Sequence, residues 1–246
     1  MIDILIQKLL SYNFKMWSFF DRIVCINLLS RDDRYIHSQQ VFRSIHLNSV
    51  NFHRVSKHPK GGKYGCFDSH LSIIRQAYND DCDNCLIFED DAEPTSYLNE
   101  LTVTKCVNFM KENNDWLIFY LGIYPDITSQ RCQIVQPNIV RLHSLMTHAY
   151  VVSRRGIELI RKWTYAQQAI DEMYLNLNSC YGHYPSLFVQ SNYGSDIGND
   201  HSYYTNVQQL YENYMYYVNV PFVTIGLILL ILILIFAIIM ISKLNL

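Results

Sequence analysis

Cys85-Leu-Ile-Phe88 followed by Glu89-Asp90-Asp91 is an apolar run that ends on three adjacent carboxylates. A short apolar run bounded by polar residues reads as a buried strand. The acidic triplet just beyond it then lies where open α/β sheets bind their ligands, outside the carboxyl ends of the strands. Adjacent carboxylates repel one another, so the triplet costs stability unless a cation or a basic partner neutralises it. A hard divalent ion, Mg2+ or Mn2+, held by Glu89, Asp90 and Asp91 is one answer, since such ions take one or two carboxylates and leave positions for water and phosphates. A solvated acidic turn at the start of the next helix is the other.

Outward from the triplet, the chain alternates strand and helix signals. Arg22-Ile-Val-Cys-Ile-Asn-Leu28 reads as a strand running into the polar loop Ser30-Arg-Asp-Asp-Arg34, and Phe52 to Ser56 as the next strand. Lys57 to Lys63, with Pro59, Gly61 and Gly62, reads as a loop. Asp68 or Ser69 is expected to cap a helix that buries Leu71, Ile74 and Ala77. Ser96 to Asn113 has helical periodicity, Trp116 to Leu121 and Ala149 to Val152 read as strands, and Arg154 to Trp163 and Ala169 to Asn178 as helices. This alternation predicts an α/β domain with a mostly parallel, Rossmann-like sheet.

The 246 residues carry 20 Lys plus Arg against 22 Asp plus Glu, a net charge of -2, without the basic excess of a protein that lives by phosphate contacts, so no nucleic-acid partner is expected. Half of the residues are apolar and 17% are charged, which excludes a disordered chain. The seven cysteines are odd in number and follow no signal peptide, so plain thiols are expected rather than a disulfide framework. Cys82 and Cys85 form a C-x-x-C, but no second pair completes a zinc site and the surroundings are acidic. Asparagine nowhere stands in an N-x-Ser/Thr acceptor context.

No formal charge lies between Glu212 and Lys243, and Val220 to Ile241 is almost wholly Ile, Leu, Val and Phe. About 20 such residues cross a hydrocarbon core of ~30 Å, so a single spanning helix is expected over 219–242, behind a Tyr-rich linker at 206–218 and before a short tail at 243–246. A span so near the end of the chain favours a cytosol-facing domain, whereas Lys243 on the far side favours the opposite orientation. Residues 1–20 place Ile2, Leu5, Ile6, Leu9 and Leu10 at helical spacing, as in an amphipathic segment that lies on a membrane or packs on the domain. The Tyr-, Asn- and Ile-rich composition suits an AT-rich genome such as that of a large DNA virus.

Ile26-Asn27-Leu28 with Arg31 and Arg34, then Gly62, Gly65, Cys66, Ser69 and His70 in the order G-x-x-G-C-x-x-S-H, then a strand ending in E-D-D, together resemble glycosyltransferase family 25, the group of lipooligosaccharide and collagen galactosyltransferases. Asp115-Trp116 with the strand to Gly122, Thr147-His-Ala-Tyr-Val-Val-Ser153 with Gly156, Ile170-Asp171-Glu172 and Gly194-Ser-Asp-Ile197 continue the pattern in order, so the resemblance spans residues 22 to 200 and points to a catalytic domain over 21–205. It departs at Lys63, where an acidic residue is usual, at Asp68, which replaces an apolar one, and in the short stretch between Val55 and Gly62.

The resemblance implies a GT-A type fold and transfer of a hexose, galactose or glucose, from a UDP-sugar to a hydroxyl of a glycan, lipid or protein acceptor, with inversion. It implies Mn2+ or Mg2+ at Glu89, Asp90 and Asp91, acting as a Lewis acid on the departing diphosphate. Asp171, and after it Glu172, is then the candidate base, with a helix-start carboxylate as the plainer reading of both. Asn27, Arg31, Arg34, Gly65, Ser69, His70, Asp90, Thr147 and Asp196 are expected at the donor. Arg31 and Arg34 read alternatively as surface partners of Asp32 and Asp33, His70 as a hydrogen-bonded core histidine, the more common place for one, and Asp196 as part of a polar loop; Tyr150 reads as core. The competing function is a membrane-anchored interaction protein that keeps the fold without turnover.

Overall fold

The computed structural model describes residues 16–125 and 132–191. Strand β1 (Arg22–Leu28) leads into helix α1 (Asp32–Ser44), β2 (Asn51–Val55), helix α2 (Gly62–Asn79), β3 (Asn84–Glu89) and β4 (Ala92–Pro94). Helix α3 (Glu100–Glu112) follows, then β5 (Ile118–Tyr120), β6 (Tyr124–Pro125), β7 (Gln133–Gln136), β8 (Ile139–Arg141), β9 (Ser144–Leu145) and β10 (Ala149–Ser153). Short helices α4 (Arg154–Ile160) and α5 (Ile170–Tyr174) precede β11 (Cys180–His183) and β12 (Phe188–Gln190).

The central sheet has eight strands in the order β2-β1-β3-β10-β5-β11-β8-β7. Strands β2, β1, β3, β5, β11 and β7 point one way, and β10 and β8 run against them. A mostly parallel sheet therefore describes strand direction, but β10, inserted between β3 and β5, makes the pairing at the centre antiparallel and the sheet mixed. Strand β3 is buried from Asn84 to Phe88, as its unbroken apolar run requires. The Phe88 ring centre lies 5.1 Å from that of Phe42 and 5.0 Å from that of Phe188, so one side chain ties α1 and β12 to the sheet. Burial of a phenylalanine of this kind stabilises the fold by about 1.5–3 kcal/mol.

Helix α2 begins at Gly62 rather than at Asp68 or Ser69, and the loop is residues 56–61 rather than Lys57 to Lys63. Gly61, at φ 97°, turns the chain into the helix, and an added Cβ at Gly65 would come 3.0 Å from His58 Cβ. These glycines thus serve a tight helix entry. Helix α3 starts at Glu100 rather than Ser96, because Asn99 caps it: Asn99 Oδ1 accepts from Thr102 N–H at 3.0 Å while Asn99 N–H donates to Thr102 Oγ1 at 3.1 Å. The strand expected over Trp116 to Leu121 is the shorter β5, and α4 and α5 stop well before Trp163 and Asn178.

Trp17 and Phe20 pack in the core, and Trp17 Nε1–H donates to Ile45 O at 3.2 Å, so the end of the first segment belongs to the domain. None of the seven cysteines is paired in a disulfide. The segments read as membrane helix, linker and tail, with Asp196 and residues 1–15, lie outside the described residues. Among the described residues no helix is long and apolar enough to cross a membrane.

Candidate active site

Parallel pairing sets Ile26 beside Glu89 and Leu28 beside Val55, so β1, β2 and β3 end together on one rim. The first turns of α2 lie against that rim and close a cleft of about 240 Å3. Asn27, Arg34, Gly65, Ser69 and His70 line it, as do Glu89, Asp90 and Asp91. Three sequence motifs, carried by β1, α1, α2 and the end of β3, therefore converge. Lys57, His58 and Gln190 also line the cleft.

The repulsion within the triplet is met by protein groups. Asp90 Oδ1 accepts from Arg34 Nη1 at 2.9 Å and Asp90 Oδ2 from Asn27 Nδ2 at 2.7 Å. Asp91 Oδ2 accepts from Gln190 Nε2 at 2.9 Å and, at 3.4 Å, from the same Arg34 nitrogen. Asp91 Oδ1 is buried and has no hydrogen-bond partner among the described residues. Glu89 Oε1 accepts from the Thr147 hydroxyl at 2.6 Å and lies 3.5 Å from His70 Nε2.

These surroundings separate the three acids. Burial, with the Glu89 charge beside it, pushes the Asp91 carboxyl up to about 7 against the pull of Gln190 and Arg34. Burial also raises Asp90, outweighing its bonds from Arg34 and Asn27. Burial works on Glu89 in the same sense, yet the hydrogen bond and charge of His70, with the Thr147 hydroxyl, hold it below the usual carboxylate range. Functional clefts and buried ion-pair networks both separate neighbouring acids in this way.

His70 is placed as a hydrogen-bonded core histidine that also lines the cleft. It is buried, with Nδ1 2.8 Å from the Tyr150 hydroxyl, and Tyr150 in turn lies 3.0 Å from the Tyr174 hydroxyl, yet its Nε2 faces Glu89. Ser69 donates back to Gly65 O at 2.7 Å. Thr147 stands behind Glu89 and does not line the cleft. Arg31 is bound through Nε and Nη2 to Asp33, at 3.0 and 2.8 Å, and stands outside the cleft lining, so the salt-bridge reading describes it.

Asp171 and Glu172 separate as helical neighbours must. Asp171 Oδ2 accepts from Met146 N–H at 2.9 Å and Oδ1 from Glu172 N–H at 2.9 Å; burial raises its carboxyl against both bonds. Glu172 turns back to accept from Ala169 N–H at 3.1 Å, the plain helix-start role. Gln190 and Cys66 carry no role in the sequence reading: Gln190 arrives from the last strand with no local pattern to mark it, whereas Cys66 stands inside the G-x-x-G-C-x-x-S-H motif.

Comparison with known proteins gives the family. A197 from STIV is similar to the chain at 10% identity, covering 73% of this chain and 99% of that one, with a TM-score of 0.43. A glycosyltransferase involved in the glycosylation of the major capsid of PBCV-1 is similar at 12% identity over 71% and 94%, with a TM-score of 0.43. A UDP-glucose pyrophosphorylase complexed with UDP-glucose is similar at 10% identity over 83% and 87%, with a TM-score of 0.42. Likenesses at this level decide nothing about the chemistry. Comparison with curated proteins gives no match. The sequence model of glycosyltransferase family 25, described as an LPS biosynthesis protein, matches residues 50–174, half of the chain, including α2, the acidic triplet and Asp171. The chain belongs to glycosyltransferase family 25.

Proposed function

We propose that this glycosyltransferase moves a hexose, galactose or glucose, from a UDP-sugar to a hydroxyl of a glycan, lipid or protein acceptor, with inversion at the anomeric carbon. The observation that carries the reading is the buried Asp91 Oδ1, which lacks a partner among the described residues, on a residue lining a cleft that also presents Arg34, Lys57 and His58. A nucleoside diphosphate suits such a cleft, because cationic side chains and carboxylates together can hold phosphates and a metal.

The residues fit Mn2+ or Mg2+. An unsatisfied buried carboxylate oxygen is a ready ligand, so Asp91 with Glu89 would hold the ion, while both oxygens of Asp90 are already engaged by Arg34 and Asn27. Bound there, the ion would act as a Lewis acid on the diphosphate. Asp90 is then a positioning residue that fixes Arg34 at the cleft wall. Asn27, Gly65, Ser69 and His70 supply the remaining donor surface.

Asp171 is the proposed base. Its raised carboxyl binds a proton nearer to neutral pH than an ordinary aspartate, and each of its oxygens accepts one backbone N–H and keeps a second lone pair. Residues 219–242 would anchor the enzyme beside a membrane acceptor with its domain on the cytosolic face, and tethering would raise its effective concentration there. The composition suits an AT-rich genome, and a large DNA virus is one source that would fit it.

Calorimetric titration of the full chain in detergent with UDP tests the cleft. Binding is expected with Mn2+, weak with EDTA, and weakened in Asp91→Asn. UDP binding that is indifferent to both metal and variant would overturn the metal assignment, and no binding at all would overturn the donor assignment.

A further inference from the structure

Cys66 Sγ, His70 Nε2 and a Glu89 carboxylate oxygen lie within 4.8 Å of one another on the floor of the cleft, the one such trio of potential metal ligands among the described residues. Cys66 and His70 are i and i+4 on α2, so they share one face of the helix, and Glu89 comes from the end of β3. We propose that these three side chains form a binding site for a thiophilic cation of the Zn2+ class, distinct in chemistry from the hard ion assigned to Asp91.

Three features support the site. The first is spacing: a tetrahedral ion at about 2.0–2.1 Å from a nitrogen and an oxygen sets those two atoms about 3.3–3.4 Å apart. His70 Nε2 and Glu89 Oε1 are already 3.5 Å apart, so the pair closes on an ion almost without moving. The second is orientation. Tyr150 lies 2.8 Å from His70 Nδ1 and 3.0 Å from the Tyr174 hydroxyl, so it can accept from Nδ1–H and donate onward. Nε2 then faces Glu89 and the Thr147 hydroxyl, each at 3.5 Å; an ion there would displace to solvent the proton that Nε2 shares with Glu89, while Thr147 holds the carboxylate in place. Outer partners that fix a histidine tautomer and a carboxylate are the usual support of a metal site.

The third feature is the ligand set itself. One thiolate, one imidazole and one carboxylate suit Zn2+, whereas Mg2+ and Mn2+ prefer oxygen throughout. Coordination would release the Cys66 thiol proton to solvent. With three protein ligands the fourth position stays open to the cleft, which all three residues line and through which an ion enters. Glu89 stands between the two ligand sets. The site does not depend on the transferase reading, because its test reads metal binding and not turnover.

The test is titration of the full chain with Co2+, which reports a thiolate ligand by charge-transfer absorption in the near ultraviolet. One equivalent is expected to bind with that band, to be displaced by one equivalent of Zn2+, and to resist excess Mg2+. Cys66→Ser should abolish the band, while Cys132→Ser and Cys82→Ser keep it; Glu89→Gln should keep it but weaken Zn2+ binding about 10-fold or more. A band unchanged in Cys66→Ser, or no band in the wild type, would overturn the site. X-ray absorption of the Zn2+-loaded wild type answers the same question without any variant: one sulfur at about 2.3 Å is expected, and a shell of nitrogen and oxygen alone would contradict it.

Discussion

Arg34 Nη1 lies 2.9 Å from Asp90 Oδ1, with the two side chains only 8% and 9% exposed. The same nitrogen reaches Asp91 at 3.4 Å, so one guanidinium from α1 compensates two carboxylates at the end of β3. A pair buried to this degree contributes little over an apolar replacement, but removing one partner leaves charge uncompensated in the interior.

Arg34→Met is therefore expected to destabilise the fold by about 3–5 kcal/mol. Arg34→Met with Asp90→Asn should recover part of that loss, because the second change removes the charge left behind. Urea unfolding midpoints of the two variants check the order; equal losses would show that the pair is not coupled.

Thr147 tests the support of Glu89. Replacing it by Val keeps the shape and removes the hydroxyl that donates to Glu89 Oε1 at 2.6 Å. The Mn2+ concentration that half-saturates UDP binding is expected to rise about 10-fold or more, as when an outer partner of a metal ligand is lost. An unchanged Mn2+ requirement would place Glu89 outside the metal site.

Asp171→Asn should lower kcat by about 10²–10⁴ with UDP and Mn2+ binding intact, the size of effect that removal of a general base produces. Glu172→Gln should leave kcat near the wild-type value, since Glu172 turns back to Ala169 N–H. Initial rates of both variants decide between the two acids.

Stability should depend on pH through His183. Burial lowers its imidazole from the ordinary 6.5, with the Lys105 charge acting in the same sense and the Pro185 carbonyl opposing. Below about 6.5 the unfolded chain takes up a proton that the folded chain refuses, so this contribution is full above that pH and is lost as the pH falls through it. His183→Gln should lessen the difference between unfolding midpoints measured at about pH 7.5 and about pH 5.5. His53 and His148 are lowered for the same reason, so the variant removes only one share.

The parts of this fold that were legible in the sequence are those built from continuous local patterns. Strand β1 carries the apolar run Ile23 to Ile26 and β3 the run Cys85 to Phe88, and the motif residues from Gly62 to His70 share a short stretch, so they fall on one helix whatever its start. The entry of α2 lies earlier than the sequence suggests, because Pro59, Gly61 and Gly62 signal a loop, whereas the absence of a side chain at Gly65 lets His58 pack against the first helical turn. Strands β4, β6 and β9 are three, two and two residues long, too short to show any period. Gln190 meets Asp91 across a separation of 99 residues, which only the folded sheet brings together. In the sequence Arg34 reads as a donor contact or a partner of nearby Asp32 and Asp33; its pairing with Asp90 depends on the packing of α1 against the end of β3.

The measurement that bears most directly on the central claim is release of UDP by the full chain from a panel of UDP-hexoses, with Mn2+ or with EDTA, beside Asp91→Asn. The account predicts release from UDP-galactose or UDP-glucose that needs the metal and is lost in the variant. Release that survives both EDTA and Asp91→Asn would contradict the assignment of this cleft as a metal-assisted donor site.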